Sequence, residues 1–565
     1  MDFPKAPKHP ITRSFHGRDF VDNYEWLRDK DSPETIAYLE AENAATEQAT
    51  ALLSDLTDAI YGEIKSRVKE TDMSVPQRAG DWWYYGRTIE GKNYALSCRV
   101  PAADDPWTPP EVSEEMPGEQ VLIDANELAD GHEFFSIGAS SVTTSGRLLA
   151  YSVDTTGDER FDLRIKDLET GELLPDVIEG VFYGATWAGD DYLFYVRCDD
   201  AWRPHQIWRH KVGTDAAEDV LVFEEKDEKF GVGVGADRAE RFLYILSSSS
   251  LTTEYRVAPL EDPTAEFQVM RPREEGVEYH PDYAALGDRE YWLVTHNAAG
   301  PNFAVSAVAL ATELPDLRDL PVIVPHSDTT RIEGLDVYRD FVFMSYRRGG
   351  ISRLAVAPLT GEDFAPFEEL EFSEELYTAS LAGNPEWDAP VVRVGYTSYT
   401  QPSQLLDYRV EDGSFTLLKE QEVEGGYDPD EYVAERIWAK AEDGVEIPVS
   451  VVRRKATAPN ASPTLLYGYG SYEASMDPGF SIARLSLLDR GMVWACAHVR
   501  GGGEMGRSWY DQGKMLHKKN TFTDFIACAD TLIQLGMTDP EHLVAEGGSA
   551  GGLLMGAVAN MAPEK

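Results

Sequence analysis

The stretch Ala545-Glu-Gly-Gly-Ser-Ala-Gly-Gly552 decides how the chain is read. The run "HLVAE" leads into it and "LLMGAVANM" leaves it, so a strand, a tight turn and a helix are expected around Ser549. G-x-S-x-G occurs once, as Gly547-Gly548-Ser549-Ala550-Gly551. Small flanks let the chain turn sharply from strand into helix and leave the serine hydroxyl exposed at the sheet edge. The bare pattern is weak evidence, and its strand–helix context strengthens it. Ser549 is therefore the candidate nucleophile, and the amide of Ala550 is the first candidate donor to an oxyanion.

The rest of this C-terminal region has an α/β texture. "IWAKAEDGVEIPVSVVRRK" reads as a hairpin turning at Asp443-Gly444, while "PTLLYGYG" and "GMVWACAHVRGGGE" read as strands entering glycine-rich loops. "TFTDFIACADTLIQLG" puts Phe522, Phe525, Ile526, Ala529, Leu532 and Ile533 on one helical face, with Thr521 and Asp524 at capping-box spacing. Strands alternating with helices indicate a mostly parallel sheet. Gly501, Gly503 and Gly506 satisfy G-x-G-x-x-G, but the polar run "RSWYDQGKMLHKKN" that follows is no amphipathic helix, so a dinucleotide site is rejected.

Upstream, the texture is different. Short β-like runs recur as "DWWYYGR", "RLLAYSV", "DYLFYVR", "RFLYILS", "EYWLVTH", "DFVFMSY" and "PVVRVGY", and most are followed by a second β-like run such as "DLRIKDL" or "SRLAVAPL". After the first interval they repeat at the spacing of propeller blades, and seven units imply seven blades. Before them, Ser32 can cap a helix with Pro33 at its first position, and the chain continues without Pro or Gly until Gly62. The expected organisation is a helical segment over 1–74, a seven-bladed β-propeller over 75–419 and an α/β-hydrolase domain over 420–565.

Composition narrows the function classes. With 42% hydrophobic and 11% aromatic residues the chain is globular, and a formal charge of -48 disfavours nucleic acid and anionic membrane surfaces as partners. Acidity of this kind serves solubility and names no substrate. The four cysteines, at 98, 198, 496 and 528, are too scattered for a disulfide framework or a zinc site and are expected as free thiols in a reducing compartment. Residues 1–17 hold no signal-type apolar run, and no stretch approaches the length of a membrane span. A soluble cytoplasmic protein without metal or other cofactor is expected.

An acyl-transfer serine needs a second oxyanion donor, a base and an orienting carboxylate. In "YGYGSY" Tyr469 stands between two glycines, where its phenol either reaches a developing oxyanion or packs in the turn. Among nearby histidines, His498 falls in a strand-like run, His517 in a Lys-rich loop, and His542 at the far end of the strand that leads to Ser549, so none is a convincing base.

The runs "LLYGYGSYEASMDPGFSIARLSLLDRG", "HVRGGGEMGRSWYDQGKMLHKKNTFTDF" and "GGSAGGLLMG", with "DNYEWLRD" near the start, resemble the prolyl oligopeptidase family of serine peptidases, in its oligopeptidase B branch. The resemblance implies an enzyme that cleaves short peptides after Arg or Lys, with Ser549 as nucleophile, Tyr469 as side-chain oxyanion donor and the Ala550 amide beside it. Residues 1–74 would pack on the hydrolase domain, and the propeller would cover the active site and admit only short peptides. Carboxylates pair the cationic side chain in that branch, and where it commonly carries Asp-x-Asp this chain has Asp477-Pro478-Gly479, so Asp477 alone carries over. The family's catalytic Asp and His follow the serine at a distance that the thirteen residues after the motif do not hold. On that ground the hydrolase domain is expected to be incomplete at its C-terminus and the 565-residue chain inactive by itself. The rival expectations are proline-specific cleavage, as in the other main branch, and a non-catalytic propeller binding protein with a hydrolase remnant.

Overall fold

The recurring apolar runs form the second strands of seven four-stranded antiparallel sheets, which follow one another between Gln77 and Glu420 in the computed structural model. Residues 3–102, 107–111, 113, 116–458 and 460–565 are described. Second strands such as Leu148–Asp154 and Phe341–Arg348 are almost wholly buried, because each blade's face packs on its neighbours and both sides of the strand need apolar side chains. The second set of runs supplies the third strands, among them Phe161–Asp167 and Ile351–Pro358. Every blade is a meander of consecutive strands, so the ring closes without strand exchange. At that closure Arg393 donates to the Pro76 carbonyl (2.8 Å), the Gly80 amide donates to Glu386 (2.6 Å), and Lys419 reaches Asp72 (2.7 Å).

After the propeller, the strands β1 (Tyr432–Lys440), β2 (Glu446–Arg454), β3 (Thr464–Gly468), β4 (Val493–Ala497) and β5 (Leu543–Glu546) form one sheet in the order β1-β2-β4-β3-β5. β1, β2 and β4 pair antiparallel, whereas β3 runs parallel to both β4 and β5. Helices α1 (Ile482–Leu488), α2 (Lys519–Gln534) and α3 (Ala550–Met561) are the longer helices of this region. Ile447, Val449 and Val451 of β2 meet Leu466 of β3, with Phe525, Cys528 and Leu532 of α2 and Leu554 of α3, in one core. A second cluster joins blades six and seven to the hydrolase region through Tyr432, Val452, Leu485 and Leu488.

Two compact units are distinguished. The larger comprises Lys69–Val423 and Tyr427–Lys565, and the smaller Met1–Val68 with Glu424–Gly426. In the smaller unit a hairpin, Ile11–Phe15 with Arg18–Asp22, precedes the helices, an element the helical reading of this segment did not anticipate. Pro33 opens its first helix, Pro33–Thr50, and Ser32 stands at the N-cap without a side-chain capping bond. A 3-10 turn at Ala51–Leu53 then separates it from Ser54–Ser66.

The helix α2 departs from the expected start. It begins at Lys519, so Thr521 and Asp524 lie inside it and form no capping box. Both face inward to Arg500, the Thr521 hydroxyl donating to its carbonyl (2.6 Å) and Asp524 accepting from its guanidinium (2.6 and 2.8 Å). The buried face is accordingly Thr521, Asp524, Phe525, Cys528, Ala529 and Leu532, rotated from the purely apolar stripe.

Candidate active site

The parallel pairing of β3 with β5 brings Tyr467 opposite Glu546, so the loops leaving both strands emerge side by side. From β5 the chain passes Gly547 and Gly548 to Ser549, which is exposed and held at φ 54°, ψ -119°, and α3 begins at the next residue. That backbone region disfavours any residue with a Cβ, which is the strain of a nucleophile elbow. The two motif glycines are sterically required. A methyl group built on Gly547 would meet the Gly551 carbonyl oxygen at 2.6 Å, and one on Gly551 would meet the Gly468 carbonyl oxygen at 2.8 Å. Gly548 has open space around its Cα instead.

Tyr469 is set beside the elbow by its own glycines. A side chain on Gly468 would strike the Phe525 ring at 2.8 Å, and one on Gly470 would strike Val499 at 2.6 Å. Beneath this loop, Gly501 of the "RGGGE" run packs directly on the Gly470 carbonyl, so that run acts as a close-packing surface. It leads into a helix of only five residues, Arg507–Asp511. Lys518 fastens the tyrosine loop, donating to the Gly470 carbonyl (2.5 Å) and the Ser471 hydroxyl (2.6 Å), and its burial holds its ammonium below the ordinary lysine range. A methyl on Gly551 would lie 3.7 Å from the Tyr469 ring, which places Tyr469, Ser549 and Ala550 in one neighbourhood.

Two of the three nearby histidines are committed elsewhere. His498 is buried with Nε2 2.8 Å from the Ser450 hydroxyl, and burial pushes its imidazole below the usual range. His542 pairs with Asp539 at 2.7 Å, and His517 is exposed in a 3-10 turn. Among the described residues, none hydrogen-bonds to the Ser549 hydroxyl through its side chain.

Asp477 lies in another cluster, at the seam with the propeller. Its two carboxylate oxygens accept from both terminal nitrogens of Arg347 in blade six (2.5 and 3.0 Å), and Glu333 takes the Arg347 Nε at 3.2 Å. Alongside, Arg331 pairs with Glu473 (3.1 Å) and Arg507 with Glu278 (2.7 Å). Sequence reasoning missed these arginines, and also Arg500, which lay in plain view in "HVRGGGE". Its buried pairing with Asp524 and its bond to Asp443 (2.6 Å) tie the loop under Tyr469 to α2 and to the β1–β2 turn. All four cysteines are free, three of them buried.

This fold and elbow define an α/β-hydrolase capped by a seven-bladed propeller, and comparison with known proteins agrees. Residues 4–421 match the "Prolyl oligopeptidase, N-terminal beta-propeller domain" and residues 478–565 the "Prolyl oligopeptidase family". The chain belongs to the prolyl oligopeptidase family, and it is a serine peptidase of that family. Dipeptidyl aminopeptidase BI of Pseudoxanthomonas mexicana is 41% identical over 100% of this chain and 78% of its own length. Protease 2 of Moraxella lacunata is 35% identical over 100% of this chain and 80% of its own. Among solved structures, oligopeptidase B from Leishmania major matches with a TM-score of 0.92 at 34% identity, covering 100% of this chain and 81% of that one. No helix among the described residues is long and apolar enough to cross a membrane.

Proposed function

We propose that the protein is an oligopeptidase that hydrolyses short peptides in the cytoplasm on the carboxyl side of Arg or Lys, through an acyl-enzyme on Ser549. The observation that carries this reading is the elbow itself, an exposed serine at φ 54°, ψ -119° between strand and helix with Tyr469 beside it. Ser549 Oγ attacks the scissile carbonyl carbon and gives its proton to a base, the amine departs protonated, and water releases the acyl group. The Ala550 amide and the Tyr469 hydroxyl serve the oxyanion. None of His498, His517 and His542 is the base in this reading. Asp477 is the carboxylate for a basic side chain. Its two-point bond to Arg347 supports this, because it already accepts a planar guanidinium in the geometry a substrate arginine would use.

The test compares N-blocked fluorogenic peptides ending in Arg or in Pro, using protein isolated from its source organism and treated in parallel with a fluorophosphonate. About tenfold or greater preference for Arg in kcat/KM is expected, with Ser549 labelled. Faster release from the Pro peptide sinks the Arg/Lys assignment, and an unlabelled Ser549 sinks the acyl-enzyme. A second reading, release of dipeptides from free N-termini, is favoured by the 41% identical relative named dipeptidyl aminopeptidase BI. If the fluorophore leaves only from unblocked dipeptides, that reading replaces the first.

A further inference from the structure

The propeller axis holds a cavity of about 570 Å³ with walls from blades one, four, five, six and seven. Between blades four and five it is lined by the aromatic residues Tyr244, Tyr255 and Trp292, and towards the axis by Asp237, Asp282 and Asp336. One cation, Arg238, shares this lining, and it is fully engaged. Its guanidinium donates to Asp336 (2.7 Å) and to the carbonyls of Val337 and Asn384 (2.9 Å each). It also stacks over Tyr338.

Two carboxylates are left without a counter-charge. Asp237 accepts the amides of Arg241 (2.8 Å) and Phe242 (2.5 Å) through Oδ1, while its Oδ2 is buried without a partner. Asp282 has no hydrogen bond or ion pair among the described residues, and burial, with the charge of Asp336 close by, lifts its carboxyl to about 8. A carboxylate held in a cavity wall without a donor is unfavourable, and a bound cation relieves that penalty. The neighbouring walls suit an organic cation, because aromatic faces attract guanidinium and alkylammonium groups through their quadrupoles. The polar edges of two of these rings are already satisfied within the protein, Tyr255 at His280 Nδ1 (2.9 Å) and Trp292 at the Ala311 carbonyl (2.8 Å).

We propose that this cavity is a binding site for a small organic cation bearing a guanidinium or alkylammonium group, with Asp282 as its ion-pair partner and Tyr244 and Tyr255 as its aromatic wall. The site lies in the propeller, apart from Ser549, and does not depend on the peptidase reading.

Calorimetric titration with agmatine, which carries both cationic groups, tests it on the whole protein. One site is expected, with affinity reduced about tenfold or more in Asp282→Asn and severalfold in Tyr244→Leu. Affinity should rise from pH 6 to pH 9 as Asp282 ionises, and Asp282→Asn should flatten that rise. Of the other groups facing the cavity, burial also raises the Asp237 carboxyl, which remains in Asp282→Asn; His280 is pushed by burial to about 4 and stays neutral over this range, Tyr244 and Tyr255 are pushed upward, and Asp336 is already paired with Arg238. No binding at millimolar agmatine, equal affinity in both variants, or a flat pH profile in the unaltered protein would each overturn the site.

Discussion

At the scale of single residues, the elbow predicts opposite fates for two glycines on either side of Ser549. Gly548→Ala adds a methyl into open space, so melting within about 1 °C of the unaltered protein is expected. Gly551→Ala drives its methyl to 2.8 Å from the Gly468 carbonyl oxygen, and since backbone cannot swing aside, a loss of about 1–3 kcal/mol is expected from denaturant unfolding. Equal stability of the two variants would show that the β3 loop yields. Asp282 makes a pH prediction of definite sign. Its folded value, about 8, lies above its unfolded 3.8, so its contribution is fully present below the unfolded value and is lost as pH rises through the folded one. Asp282→Asn should therefore melt higher than the unaltered protein at pH 9, by about 1–3 °C, while the two converge near pH 4. A gap that grows toward acid instead would refute the raised value. The turn around Ser549 was legible because its strand, its glycines and its helix are written in consecutive residues. Arg347 was not, because it meets Asp477 across 130 positions and nothing local marks it.

At the scale of strands and blades, legibility followed burial. The second and third strands of the blades stood out because they are sandwiched between neighbours and need apolar side chains on both faces. The innermost and outermost strands did not: Gly231–Ala236 is mostly glycine and valine, and Gln268–Val269 is two residues long. What locks one blade to the next was equally hidden. His210 in blade three is wholly buried, with Nε2 2.8 Å from Asp176 of blade two and Nδ1 2.6 Å from Asp219 of its own blade. Tyr195 donates to the second Asp219 oxygen (2.8 Å), and the Gly213 amide donates to Asp176 (2.6 Å). Both ring nitrogens sit against carboxylates, and a glutamine in that position can reach only one of them. His210→Gln is therefore expected to cost about 3–5 kcal/mol, appearing first as faster amide exchange in the strands Leu173–Val181 and Pro204–Lys211. Unchanged exchange there would mean that the apolar cluster of Phe161, Ile178 and Leu193 holds the two blades without the charges.

At the scale of the larger unit, the propeller and hydrolase regions share both an apolar cluster and a set of ion pairs, and the two parts are expected to answer differently to mutation. The cluster around Tyr432, Leu485 and Leu488 fixes one side of the seam. The charged side runs through residues 473–480, where Asp477 holds Arg347, Thr378 donates to the Pro478 carbonyl (2.6 Å) and the Phe480 amide donates to Thr397 (3.2 Å). The Arg347 side chain is only 6% exposed, so Asp477→Ala strands a nearly buried guanidinium with Glu333 alone and should cost about 3–5 kcal/mol. Arg347→Ala leaves the carboxylate 28% exposed, where water can reach it, and should cost less. The double variant should recover part of the larger loss, giving a coupling energy of about 2 kcal/mol, and additive losses would mean the pair does not hold the seam. The same two variants separate structure from specificity. If Asp477 receives a basic substrate side chain, Arg347 is its internal competitor, and Arg347→Ala should lower KM for Arg peptides about threefold or more with kcat little changed. Asp477→Asn should raise KM instead, and in that background the effect of Arg347→Ala should vanish. If KM for Arg peptides is indifferent to Arg347 while the seam loosens, the pair is a clasp between the two regions and the recognition of basic residues lies elsewhere.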